Sequence, residues 1–127
     1  MIVKNIMNDE TEIFHATMFT QLLCLIKRKW SLTDEIVLRH GKIEIDNMHS
    51  IYNNNIECYS RNIRLTLYSS KSEIEILVSG LDYVEQLRKR VNKIVGLNPK
   101  LFFFGKEMKD GDLIKNYTEY DAYIQIV

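Results

Sequence analysis

The sequence predicts an α+β fold in which one helix lies across one face of a mixed sheet. Three observations in the second half predict it. Ile63-Arg64-Leu65-Thr66-Leu67-Tyr68 alternates apolar and polar residues, as a half-buried strand does. Val84, Leu87, Val91 and Ile94 recur at spacings of three and four, which draws one apolar stripe along a helix. The elements run strand, strand, helix, strand, short strand, strand. Neither the helix nor the sheet can bury its apolar side alone, so the one must cover the other.

Each element follows from local chemistry. Ser69 to Ser72 is a polar turn between the first strand and a second, Glu73-Ile74-Glu75-Ile76-Leu77-Val78, so the two form a hairpin. Ser79-Gly80 breaks that run. The helix is expected over 82–95, with Glu85 and Lys89 paired on its wet side. Gly96 stands at the place of a C-terminal cap, and Pro99 forbids continuation. Residues 100–104 form a third strand. Gly105 makes a turn, Met108 belongs to a short edge strand, and Asp110-Gly111 is a turn dipeptide. Residues 122–127 form the last strand.

The stretch 101–117, LFFFGKEMKDGDLIKNY, is similar to the matching stretch of ubiquitin. Gly105-Lys106, Asp110-Gly111 and Tyr117 keep the family's spacing. The resemblance covers about half the chain and implies a ubiquitin-like β-grasp domain over 61–127. Residues 1–60 repeat the pattern more faintly, and repeats bear on the fold before anything else does. Residues 1–8 and 10–16 form a hairpin, and Thr17 caps a helix over 18–29. Phe19, Leu22, Leu23 and Ile26 make the stripe of that helix. Residues 36–38 and 56–59 are strands. Gly41-Lys42, Asp46-Asn47 and Tyr52 take the family's places, and Asn53-Asn54-Asn55 makes a turn. Arg39 departs from the pattern, standing where the family has a partly buried aromatic. The expectation is a reduced ubiquitin-like unit over 1–60, followed by a full one over 61–127, similar to tandem members of the family. The alternative is an N-terminal extension packed on a single domain.

Composition excludes several function classes. The chain has 127 residues, zero formal net charge and 27% charged residues of both signs. That balance does not suggest nucleic acid, and Lys27-Arg28-Lys29 reads as the wet end of a helix. No stretch reaches the roughly 18 apolar residues of a membrane span. The N-terminus does not resemble a signal peptide, so the expected location is cytoplasmic or nuclear. Cys24 and Cys58 read as small buried hydrophobes. No histidine pair suggests a metal, and no nucleophile with a base suggests catalysis. The sequence therefore predicts no enzyme and no cofactor.

Binding remains. The resemblance implies recognition through an apolar patch on the open sheet face, carried here by Tyr68, Phe102, Gln125 and Val127, with Lys100 and Lys106 as rim charges. Alternation agrees: with Leu101 and Phe103 turned to the helix, Phe102 faces away. The first helix is apolar nearly all round, and Met18 with Leu25 is the excess to be covered, by the other unit or by a partner. Trp30 reads as a core lid. The implied partners are proteins that recognise ubiquitin-like folds, with the chain acting as adaptor or decoy. Two alternatives stay open. One is a ubiquitin-like modifier whose Gly-Gly tail is absent after Val127. The other is a structural subunit of a larger assembly.

Overall fold

The computed structural model describes residues 1–51 and 55–127. Tyr52, Asn53 and Asn54, expected at the family's tyrosine place and in a turn, lie outside the described residues. The chain divides into two compact units, Met1–Arg61 and Asn62–Val127.

The first unit contains β1 (Ile2–Asn5), β2 (Glu10–Ile13), α1 (Phe19–Trp30), β3 (Glu35–His40), β4 (Ile43–Glu44) and β5 (Ile56–Arg61). Its sheet order is β2-β1-β5-β3-β4. The β1·β5 pair is parallel and the β1·β2, β3·β5 and β3·β4 pairs are antiparallel. Leu22 and Ile26 of α1 pack with Val3, Leu38, Ile56 and Cys58. Trp30 closes this core as a lid: its ring meets Phe14 edge-on at 5.7 Å, and its Nε1–H donates to Glu10 Oε2 at 2.7 Å. Lys29 Nζ reaches Glu12 at 3.0 Å and holds that carboxyl below the usual carboxylate range, mainly through their hydrogen bond.

Several local expectations need correction here. Met18, in extended conformation, precedes α1, so Thr17 is not its cap. The backbone N–H of Thr17 instead donates to Gln21 Oε1 at 3.1 Å. Leu25 packs against the unit's own core, so it is not surplus; the apolar stripe is simply broad. Met18 stays exposed. Cys24 lies off the stripe and is exposed, whereas Cys58 is fully buried. His40 closes β3, and its Nδ1 lies 2.9 Å from Asn55 O.

The second unit contains β6 (Ile63–Tyr68), β7 (Glu73–Val78), α2 (Val84–Val95), β8 (Leu101–Phe103), β9 (Lys106–Glu107) and β10 (Ala122–Ile126). Its order, β7-β6-β10-β8-β9, repeats that of the first unit element for element. Again the first and last strands run parallel at the centre, and the outer pairs are antiparallel. One helix over such a sheet is the ubiquitin-like β-grasp, present here twice in tandem. Leu65, Leu67, Leu87, Val91, Leu101 and Ile124 form the heart of the second core and are essentially sealed from solvent. Each contributes about 1.5–3 kcal/mol by leaving water.

The helix starts at Val84, not at residue 82, because Asp82 is used elsewhere. Its carboxylate accepts the Ser79 N–H at 2.8 Å, and its carbonyl accepts from Ile114 N at 2.9 Å. Gln86 Oε1 reaches back to the Tyr83 N–H at 2.8 Å and satisfies one of the helix's free donors. Gly96, at φ 73°, caps the other end. Ile94 leaves the stripe and is 58% exposed. Val95 packs against the core instead.

Candidate protein-binding face

The pairing register builds this face. Strand β6 buries Ile63, Leu65 and Leu67, so Arg64, Thr66 and Tyr68 project to the other side. On β10 the buried Ile124 puts Tyr123 and Gln125 on that same outer side. On β8 the buried Leu101 does this for Phe102. Gln125 pairs with Tyr68 across the parallel ladder and with Phe102 across the antiparallel one. Three of the expected residues thus stand side by side in one cross-strand row, turned away from α2. Tyr68 is 41% exposed, Gln125 is exposed and Phe102 is half-buried.

Val127 and Lys100 lie one step along. Their backbones exchange two hydrogen bonds, at 2.9 and 3.0 Å, and both residues are exposed. Lys106 is placed differently: it pairs with Phe103, and the charge across from Phe102 is Glu107. Phe103 packs partly against the core and meets Tyr117 edge-on.

The face holds more aromatic surface than the sequence reading identified. Tyr123 is 68% exposed and Tyr120 79%. With Tyr68, Phe102 and Phe104 they line a shallow depression of about 480 Å³. Period-two alternation through Ala122-Tyr123-Ile124-Gln125 would have found Tyr123. Phe104 lies in a turn, where alternation gives no answer. Tyr120 precedes the strand.

Behind the face, the framework is pinned by polar contacts. The Arg88 guanidinium forks onto both oxygens of Asp110, with Nε–Oδ1 at 2.8 Å, and also reaches Asn98. Tyr117 donates to Asp112 Oδ2 at 2.6 Å while accepting from the Lys109 N–H. Burial, together with that bond to Asp112, raises the Tyr117 hydroxyl above its ordinary pKa. In the first unit, Arg39 takes the place expected of an aromatic. Its guanidinium lies 4.6 Å from the centre of the Tyr59 ring, and its Nε donates to Glu57 at 3.2 Å.

Among the described residues, no group of three or more His, Cys, Asp and Glu side chains could hold a metal ion. No helix among them is long and apolar enough to cross a membrane.

No protein-family model matches the chain, and no curated protein does. Solved structures do resemble it. One, described as a molecular mimic of SUMO that promotes DNA repair, is 23% identical, with a TM-score of 0.48 over 54% of this chain and 94% of that one. The fold assignment rests on the strand order, pairing and helix placement given above.

Proposed function

We propose that this chain is a non-enzymatic protein–protein interaction module. It presents a ubiquitin-like sheet face to proteins that recognise such folds, and it serves as adaptor or decoy. Residues 62–127 carry the face, and residues 1–61 form a second unit of the same kind.

The observation that carries this reading is the single row of Tyr68, Gln125 and Phe102 on the side of the sheet away from α2. Large rings on an open sheet face favour association, since exposed apolar surface of this kind marks interaction sites. Aromatic side chains also supply most of the binding energy where they are buried by a partner. Val127 extends the row's apolar character. Lys100 and Lys106 sit at the margin, where charge governs encounter rate more than final affinity.

An affinity capture from matched cell lysate tests the reading, comparing the full chain with Phe102→Ala and Tyr68→Ala. The expected result is loss of the captured partner with each variant, at a thermal midpoint near that of the parent. Undiminished capture by both variants would remove the face from the function.

A further inference from the structure

We propose that the partner's contact segment is cationic, with two arginine side chains laid against the Tyr68 and Phe102 rings. This rests on the interaction reading above and adds the chemistry of what binds.

The row of Tyr68, Gln125 and Phe102 extends to both edges of the sheet. Tyr68 pairs with Glu73 on β7, and Phe102 pairs with Glu107 on β9. Residues directly opposite on neighbouring strands share a face, so the full row reads Glu73, Tyr68, Gln125, Phe102, Glu107. It is an aromatic pair around a neutral amide, with a carboxylate at each end. Both glutamates are exposed, and neither makes an ion pair among the described residues. The next row repeats the theme: Glu75 pairs with Thr66, and Thr66 with Tyr123. Here Glu75 is already engaged, by Arg64 at 3.7 Å. No cation stands within the first row. Lys100 lies one step away beside Val127, and Lys106 pairs with Phe103.

The physical consequence is a face that attracts positive charge. Aromatic rings are negative over their faces, and a cation placed there gains most where water is partly excluded. A carboxylate beside each ring adds to that attraction. Arginine fits better than lysine, because its planar guanidinium stacks on a ring while its fork reaches a carboxylate. An acidic segment meets the opposite field. Tyr68 and Phe102 stand on either side of β10, two strand spacings or roughly 10 Å apart, which an extended segment crosses in about three residues. The partner segment is therefore an extended stretch with two arginines about three positions apart.

Phe104 supports a role for this face in contact. It is 93% exposed and sits at φ 48°, followed by Gly105 at φ 77°. Two positive φ values in a two-residue turn ordinarily call for Asn-Gly. A phenylalanine held there gains only an edge contact with Phe103, at 4.6 Å. Its ring stands at the rim of the depression that Phe102, Tyr68 and Tyr123 line.

The test is an NMR titration of the full chain, reading the backbone amides of Thr66, Tyr68, Phe102 and Gln125. The probes are two synthetic ten-residue glycine/serine peptides, one with two arginines three positions apart and one with glutamates in their place. The arginine peptide is expected to shift these amides and to bind about fivefold or more tightly than its counterpart. Glu73→Gln with Glu107→Gln is expected to weaken it about threefold, with the spectrum otherwise dispersed as before. Equal or tighter binding by the glutamate peptide would overturn the inference while leaving the interaction face standing. Failure of the arginine peptide to move these amides would overturn it too, and the lysate capture then decides the face independently. Arginine-peptide binding that ignores the double Gln variant would equally overturn it.

Discussion

Phe102 on β8 stands directly across the antiparallel ladder from Gln125 on β10. Their chain neighbours Leu101 and Ile124 are sealed beneath α2. Side chains alternate strictly along a strand, so burying one member of each neighbouring pair turns the other outward. A one-residue slip of β10 would put Gln125 in the core and Ile124 in water. The hydrophobic core thus sets the composition of the outer face as surely as it sets the fold.

The tie between α2 and the loop after β9 is open to test. Arg88 forks onto Asp110, and the hydrogen bond holds the guanidinium in its charged form. The pair is partly exposed, so screening limits its worth. Arg88→Ala is expected to lower unfolding stability by about 1 kcal/mol, read by denaturant titration. An unchanged midpoint would mean that the fork is ornamental.

Gly80 is a second test of packing. A Cβ added there would meet Lys115 Cβ at 3.1 Å, and the Lys115 N–H already donates to Gly80 O at 3.0 Å. The two segments are held close at their backbones, so they cannot part without breaking that bond. Gly80→Ala is expected to destabilise the chain by about 1–2 kcal/mol, and Gly111→Ala, with open space around it, by less. Calorimetric midpoints of the two variants should separate in that order.

The buried thiol of Cys58 makes stability depend on pH at the alkaline end. Burial pushes its pKa up to about 12 from an ordinary value near 9. The unfolded thiol loses its proton first, so above pH 9 the unfolded state is favoured until the folded thiol also ionises near 12. Stability relative to Cys58→Ala is therefore level below pH 9 and falls above it, by up to about 1.4 kcal/mol per pH unit. Paired denaturant titrations of the two proteins from pH 8 to 11 read this difference. A difference that stays level throughout would contradict it.

The second unit was legible because its signals are local. Alternation in β6 and the stripe Val84, Leu87, Val91 each lie within a few turns of chain. The ends were less so. Thr17 and Asp82 both suit a cap by type, yet Met18 precedes α1, and Asp82 is drawn off by Ser79 and Ile114. Cys24 and Ile94 sit at the margins of their stripes, where a small rotation of the helix decides exposure. The carboxylates beside Tyr68 and Phe102 were not legible at all as a pair. Each glutamate faces its ring across a local hairpin, but the two hairpins join in one row only through Gln125 of β10, which is distant in sequence from β6 and β8. The conformation of Phe104 was hidden for a related reason, since a phenylalanine carries no signal for a positive φ.

The binding face requires Leu101 and Phe102 to point to opposite sides of one strand. Denaturant unfolding of Leu101→Ala and Phe102→Ala, measured side by side on the full chain, tests this directly. The expected loss is about 3 kcal/mol for Leu101→Ala and no more than about 1 kcal/mol for Phe102→Ala. Equal losses, or a larger one for Phe102→Ala, would place that ring in the core and contradict the binding face.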